Sequence, residues 1–254
     1  SRLARMLGNE EGATRLNREA EQLRKRFESA FWSNQLNCYA EAIDGDHRPC
    51  LVLTSNPGHC LYAGLVSDKR AGILAEQLMS PEVFSGWGVR TLASNSIRYN
   101  PMSYHNGSVW PHDNAIIAAG LARYGHKREA LQILTGLFNA SHYLDLRRMP
   151  ELFCGFDRQP GAGPTLYPVA CLPQAWAAGA VFMILGACLG LEIDAPKRQL
   201  RIVNPVLPEY LDDLTITDLQ VGDVVVDLVF HRYERDTSVN VLRRSGKLEV
   251  MILK

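Results

Sequence analysis

The sequence predicts a mainly α protein that ends in a small antiparallel β appendage. Apolar residues recur at intervals of three and four through most of the chain and at intervals of two after Leu200. The 254 residues, 46% of them hydrophobic, are enough to fill a substantial core. We therefore expect a helical domain over residues 1–197 and a β appendage over residues 198–254.

The N-terminal part predicts two helices separated by turns. Residues 13–32 place Leu16, Leu23 and Phe31 on one stripe of a surface helix. The sequences DGDHRP and SNPGH break any long element between residues 37 and 60. A second helix is expected over residues 67–79.

The middle of the chain predicts three more helices. Residues 115–124 are apolar on nearly every side, which is typical of an inner helix, whereas residues 127–144 carry one apolar stripe and suit an outer helix. Residues 172–191 hold no charge and are long enough to span a membrane. Pro173, Gln174 and the high Ala and Gly content favour instead a helix that is buried on all sides.

The C-terminal residues alternate between apolar and polar. The turns Gly222-Asp223 and Ser245-Gly246 separate these alternating segments, which predicts a small antiparallel sheet. The apolar positions that carry the pattern are Leu214, Ile216, Val224, Val226, Leu228, Phe230, Val239, Val241, Leu248, Val250 and Ile252.

Charge and cysteine usage limit the possible partners and the compartment. Lys plus Arg equals Asp plus Glu at 27 each, so no net charge recruits nucleic acid or an anionic membrane, and a neutral small molecule or a neutral polymer is the more natural partner. The six cysteines form no CxxC pair, and the N-terminus lacks a signal-peptide pattern. We expect a cytoplasmic protein with no cofactor and no metal.

Residues 99–114, YNPMSYHNGSVWPHDN, crowd aromatic, amide and imidazole groups into one segment. Pro111 and Asp113 suit the first turn of a helix, so a tight loop that starts a helix is one interpretation. Tyr104, His105 and Trp110 favour a second one, a sugar-binding wall of stacking rings and hydrogen-bond donors. The residues alone leave both interpretations open.

Two other kinds of site in the same segment are disfavoured. A metal site on His105 and His112 lacks a third ligand at a suitable spacing, and Pro111 interrupts the helix that would align them. Ser108 lacks the glycine pattern of a nucleophile elbow.

Two further segments carry candidate residues. Glu151 stands in PELFCGFD beside aromatic residues that can tune the pKa of a carboxyl group, although a solvated loop acid is the simpler interpretation. Trp87 lies between Gly86 and Gly88, which permits either a tryptophan held out toward a ligand or a buried core tryptophan.

Four ordered motifs resemble the bacterial amylo-α-1,6-glucosidase family, whose members are related to glycogen-debranching enzymes. They are FSGWGVRTL at 84–92, YNPMSYHNGSVWPHDNA at 99–115, PELFCGFDR at 150–158 and YPVACLPQAWAAGA at 167–180. The resemblance implies the six-hairpin glycosidase superfamily, with its (α/α)6 toroid of helical hairpins. It further implies that this chain is the C-terminal part, so that residues 1–197 form an incomplete toroid.

The resemblance also implies site residues and a substrate. Inverting glycosidases use a general acid and a general base, and Glu151 matches the position of the base. The implied substrate is an α-glucan or a glucosyl oligosaccharide. The residues that match sugar-binding positions are Trp87, Tyr104, His105, Trp110, Asp113 and Trp176.

The general acid is the missing member of the implied pair. In the family it is an Asp shortly after a Gly-Trp pair, whereas here Gly86-Trp87 is followed by Gly88, Val89 and Arg90. We expect the isolated chain to be inactive for this reason. Two alternatives stay open: a non-catalytic carbohydrate-binding or scaffolding module, and an unrelated helical-repeat protein. Exposure of the inner helix at 115–124 would favour self-association.

Overall fold

The computed structural model describes residues 1–234 and 236–254. Helices account for 37% of the residues and strands for 22%. The helices are α1 Arg2–Met6, α2 Glu10–Phe31, α3 Pro57–Ala63, α4 Asp68–Leu78, α5 Pro111–Arg123, α6 Lys127–Ser141 and α7 Ala175–Leu189. The strands are β1 Trp32–Ser33, β2 Cys38–Tyr39, β3 Ala42–Ile43, β4 Pro49–Cys50, β5 Leu191–Asp194, β6 Gln199–Val203, β7 Asp213–Val221, β8 Val224–Arg232, β9 Thr237–Arg244 and β10 Glu249–Leu253.

The prediction of a mainly α fold, part of an (α/α)6 toroid with an antiparallel appendage, is wrong. The described residues form four small sheets beside the helices, including the short pairs β1–β2 and β3–β4 in the segment that was predicted to hold turns. The C-terminal strands make two sheets, β7–β8–β9 and β10–β6–β5, and β10 pairs with β6 in parallel. Periodicity signalled strands near the C-terminus but could not reveal which strands pair.

α5 is the centre of the helical core. It packs against α3, α6 and α7, and its Ile117, Ala118 and Leu121 are fully buried. Gly120 permits the close approach of α3, because a Cβ atom there would lie 2.7 Å from the backbone nitrogen of Tyr62 and 2.8 Å from the Gly58 carbonyl oxygen. The close packing of these helices therefore depends on a glycine.

The burial of α5 and of α7 differs from the sequence prediction. The expectation that residues 115–124 would be exposed is not met, since α5 is covered on its apolar faces. The expectation that α7 would be buried on all sides is also not met, since Phe182 is 77% exposed and Val181 45%. Self-association stays a prediction, although the inner-helix face on which it was based is covered.

The C-terminal sheets have a hydrophobic cluster of their own. Leu200 and Ile202 of β6 and Val226, Leu228 and Phe230 of β8 are fully buried and pack in this second cluster. The division of the chain at residue 197 stays a prediction.

In the described residues, no helix combines the length and the apolar character needed to cross a bilayer.

Replacing Gly120 by Ala should lower the free energy of unfolding by about 1–3 kcal/mol, because the added methyl group meets backbone atoms of α3. Gly72→Ala in α4 is the matched control, since a Cβ atom there meets nothing within 4 Å. It should raise stability by up to about 1 kcal/mol. Urea denaturation of both variants measures the difference, and equal effects would contradict the packing argument.

Candidate active site

A fully buried arginine ties together the loops that carry the candidate residues. The Arg90 side chain is 0% exposed. Its Nε donates to the Gly155 carbonyl at 2.7 Å, Nη1 donates to the carbonyls of Pro81 at 3.0 Å and Glu82 at 3.3 Å, and Nη2 pairs with Asp157. Because a buried charge is tolerated only when it is hydrogen-bonded, this network fixes the loop at 150–158 against the loop at 81–90.

Single β-bridges extend this frame. Arg90 bridges Val109, Val109 bridges Phe153, and Phe153 bridges Leu166. Four segments that are far apart in sequence are therefore held side by side. The segment before α5 and the segment around Glu151 are direct neighbours in this series.

Asn114 fixes the start of α5 to the same frame. Its side-chain amide donates to the carbonyls of Val89 and Trp110, each at 3.0 Å, and its Oδ1 accepts from the Val89 N–H at 2.7 Å. Asn114 is fully buried. The first turn of α5 is therefore positioned by a side chain that satisfies three buried backbone groups.

A cleft of about 1410 Å³ opens beside the start of α5. Five of the predicted sugar-binding residues line it, namely Tyr104, His105, Trp110, Asp113 and Trp176. The structure adds residues that sequence reasoning did not select, and the polar ones among them include Glu41, Thr54, Asn56, His59 and His112. A cleft of this size accommodates an oligosaccharide segment.

The aromatic residues of the cleft form one continuous group. The Trp110 ring lies 4.8 Å from Tyr104 and 6.0 Å from His105, with which it is parallel to within 3°. Trp176 stacks on His112 at 4.0 Å and lies 6.1 Å from Trp110. Such rings offer flat apolar faces beside polar atoms, which is the surface that a pyranose ring requires.

Glu151 is buried next to this aromatic group and is hydrogen-bonded through both oxygens. Oε1 accepts from the Tyr104 hydroxyl at 2.5 Å, and Oε2 accepts from the Cys171 N–H at 3.2 Å. The Tyr104 hydrogen bond is the largest cause, followed by the Cys171 backbone, that lowers the pKa of Glu151 below its ordinary value. The same contact raises the pKa of Tyr104 to about 12. Glu151 is therefore an ionised carboxylate at neutral pH and not a solvated loop acid.

Trp87 lies apart from the cleft. It is 2% exposed, packs edge-on against Tyr143 at 6.1 Å, and is covered by the Arg158 guanidinium at 4.6 Å from the ring centroid. It contacts a separate, smaller cavity of about 340 Å³. The structure brings the other predicted sugar-binding residues together and places Trp87 in the core.

Four of the five polar residues that the sequence did not reveal come from residues 41–59, which run from the end of β2 into α3. Glu41 accepts from the Thr54 hydroxyl at 2.6 Å and from the Asn56 amide at 2.5 Å. His59 Nε2 lies 2.5 Å from Asp113 Oδ1. The motif SNPGH predicts only a turn from its sequence. Its Asn and His beside a helix start are the features that could have indicated a contribution to the site.

In residues 1–234 and 236–254, no three His, Cys, Asp or Glu side chains gather as metal ligands.

Replacing Arg90 by Met should lower the free energy of unfolding by more than about 3 kcal/mol, because hydrogen bonds to three backbone carbonyls are lost. Asp157→Asn removes the acidic partner, which is 70% exposed, and should change stability by less than about 1 kcal/mol. Urea denaturation compares the two variants. A large loss in both would assign the effect to the ion pair and not to the carbonyls.

Replacing Tyr104 by Phe should raise the pKa of Glu151 toward its ordinary value, because the hydroxyl that stabilises the carboxylate is removed. The ionised form is then lost at a higher pH as the pH falls. Carboxyl ¹³C NMR titration measures the shift. Tyr99→Phe is the control, since the Tyr99 hydroxyl donates to the Gly155 carbonyl and not to Glu151. An unchanged Glu151 titration in Tyr104→Phe would contradict the assignment.

Comparison with known proteins places the chain in a family. Residues 1–153 match the family model of the mannosylglycerate hydrolase MGH1-like glycoside hydrolase domain, and no curated protein sequence matches. Similar solved structures include a sialidase, with a TM-score of 0.73 and 16% identity over 98% of this chain and 24% of its own. Another is the GH78 rhamnosidase of Bacillus sp. GL1, with a TM-score of 0.64 and 16% identity over the same shares of the two chains.

The structural likeness concerns the fold alone at these identities, and the chain spans 24% of the length of both proteins. The family model, in contrast, covers more than half of the chain and includes the aromatic segment, Asp113 and Glu151. These residues are the ones that the fold gathers at and beside the cleft. The chain belongs to the MGH1-like glycoside hydrolase domain family.

Proposed function

We propose that this chain carries the general base and the sugar-binding cleft of an inverting glycoside hydrolase that cleaves α-glucosidic bonds. The observation that carries the proposal is Glu151, a carboxylate whose two oxygens accept hydrogen bonds from Tyr104 and Cys171. A general base must be ionised at the working pH, and the lowered pKa of Glu151 meets that requirement. In an inverting mechanism the base takes a proton from water as the water attacks the anomeric carbon.

The position of Glu151 supports the same role. Tyr104 lines the cleft through its ring and hydrogen-bonds Glu151 through its hydroxyl, so one side chain joins the carboxylate to the aromatic surface. The Glu151 backbone N–H also donates to the Cys171 carbonyl at 2.9 Å, which fixes the residue at both ends. A base held in this way keeps its geometry when substrate binds.

Two observations bear on the identity of the substrate, and they point to different compounds. The four motifs resemble α-1,6-glucosidases, whereas the matching family is named after a mannosylglycerate hydrolase. Both substrates are sugars that the aromatic cleft can stack against. We choose the α-glucosidic bond because the four motifs extend to residue 180 and so include Trp176 of the cleft, whereas the family model ends at residue 153.

Glu151→Gln should reduce glucose release from isomaltose and maltose by about 10²–10⁴-fold, because the amide cannot take a proton from water. The assay uses the protein expressed from its full reading frame, with mannosylglycerate as a third substrate. Glu192→Gln on the exposed surface of β5 is the control and should leave the rate unchanged. Unchanged turnover in Glu151→Gln removes the proposed role, and turnover of mannosylglycerate alone replaces the proposed substrate.

A second candidate function is a carbohydrate-binding module without activity of its own. It is favoured by the sequence after Gly86-Trp87, which offers no acid at the position where the resembling family has one. The cleft carboxylates Glu41 and Asp113 are both already held by hydrogen bonds. Isothermal titration calorimetry with maltose on the 254-residue chain, set beside a hydrolysis assay of the protein expressed from its full reading frame, separates the cases. Binding by the chain without hydrolysis by the longer protein fits the module, and hydrolysis that is lost in Glu151→Gln excludes it.

A further inference from the structure

The cleft contains a histidine–aspartate pair that takes no part in the contacts of Glu151. We infer that His59 contacts the substrate as a cationic hydrogen-bond donor to a sugar hydroxyl, and that Asp113 is the residue that positions it. The inference rests on the proposed function in one respect, namely that the ligand is a sugar. His59 has no role in the resemblance described above, and Asp113 entered it only as a direct sugar contact.

The burial of the two side chains assigns their roles. Asp113 stands in the first turn of α5 and its side chain is 9% exposed, whereas the His59 side chain on α3 is 42% exposed. His59 Nε2 lies 2.5 Å from Asp113 Oδ1, which leaves Nδ1 as the ring nitrogen that a ligand can engage. The acid is therefore held inside, and the imidazole is the group that faces the cleft. A carboxylate behind a histidine fixes the ring orientation and its tautomer.

The electrostatic surroundings favour the protonated form of His59. The hydrogen bond that His59 donates to Asp113 is the largest cause that raises the pKa of His59, and partial burial opposes it. The neighbouring His112 has a pKa lowered by burial, so it adds no competing positive charge at neutral pH. Glu41 is the other carboxylate that lines the cleft. A protonated imidazole donates through both nitrogens, and one of them is already taken by Asp113.

Two buried polar atoms beside this pair point to a missing hydrogen-bonding partner. Asp113 Oδ2 and His112 Nδ1 are both buried and have no hydrogen-bond partner among the described residues. Buried polar atoms in folded proteins nearly always have one. The two atoms belong to adjacent residues at the start of α5 and have almost no accessible surface, so a small side-chain movement must open this corner of the cleft before a ligand hydroxyl or a water can reach them.

The stacked rings next to the pair narrow the chemical class of the ligand. Trp176 lies over His112, which places a flat apolar surface beside a cationic donor and an unpartnered acceptor. A pyranose edge with neighbouring hydroxyl groups offers both an acceptor and a donor to such a corner. A purely apolar aglycone would leave the protonated His59 Nδ1–H without a partner, at a cost in binding.

His59→Gln should weaken maltose binding about tenfold or more at pH 6, because a hydrogen bond from a charged donor is lost. The wild-type affinity should fall as the pH rises through the raised pKa of His59, since only the protonated ring donates from Nδ1. Asp113→Asn should bring that pKa back toward its ordinary value and start the fall at a lower pH. Calorimetry measures the maltose affinity from about pH 5 to 9, an interval that brackets the titration of a histidine. ¹H NMR of the imidazole Cε1 proton follows the His59 titration over the same interval.

The pair His231–Asp213 on β8 and β7 is the matched control, because it is exposed and lies outside the cleft. Asp213→Asn should leave both the maltose affinity and the His59 titration unchanged. The inference is overturned if His59→Gln binds maltose like the wild type, if His59 titrates alike with and without Asp113, or if the wild type binds neither maltose nor mannosylglycerate. Loss of the Glu151 role would leave the binding measurements unaffected, so the two failures are distinguishable.

Discussion

The site depends on the burial of the Arg90 guanidinium. A positive charge with no exposed surface persists only because carbonyls from the loops at 81–90 and 150–158 accept its hydrogen bonds. Neither loop has a helix or a long strand of its own to hold it. In helices and sheets, backbone groups that are shielded from water hydrogen-bond to one another. In these two loops the Arg90 guanidinium donates such hydrogen bonds to the backbone carbonyls. Glu151 is placed beside the cleft as a consequence.

The helices contribute to the same place through their first turns. His59 stands in the first turn of α3, Asp113 in the first turn of α5, and Trp176 near the start of α7. His59, Asp113 and Trp176 line the same cleft, so the three helix starts lie together on one side of the helical core. The cleft therefore combines loop residues held by Arg90 with helix residues held by core packing. Changes in the buried face of α5, such as those at Gly120, act on the site through this shared position.

Sequence reasoning found residues that share a segment and missed residues that meet only through the fold. Tyr104, His105 and Trp110 were predicted as a group because they are neighbours in the chain, and the structure places them on one wall of the cleft. His59 and Asp113 are 54 positions apart, and no periodicity relates them. Trp87 is a predicted sugar contact that lies outside the cleft. Its flanking glycines permit both an exposed and a buried ring, and only packing decides between them. The fold class was mispredicted for a related reason: helical periodicity is local, whereas the bridges and sheets that join distant segments are not.

The pKa values of Glu151 and His59 are shifted in opposite directions, and together the two shifts determine the pH interval in which both groups are charged. Neutral donors lower the pKa of Glu151, so its ionised form persists to a lower pH. A carboxylate raises the pKa of His59, so its protonated form persists to a higher pH. A reaction that needs an ionised base and a cationic donor at the same time runs only between these two pKa values. Each shift widens that interval, and neither needs the other, because Tyr104 and Asp113 act on separate groups. The arrangement thus favours both charge states without bringing the two groups into one ion pair.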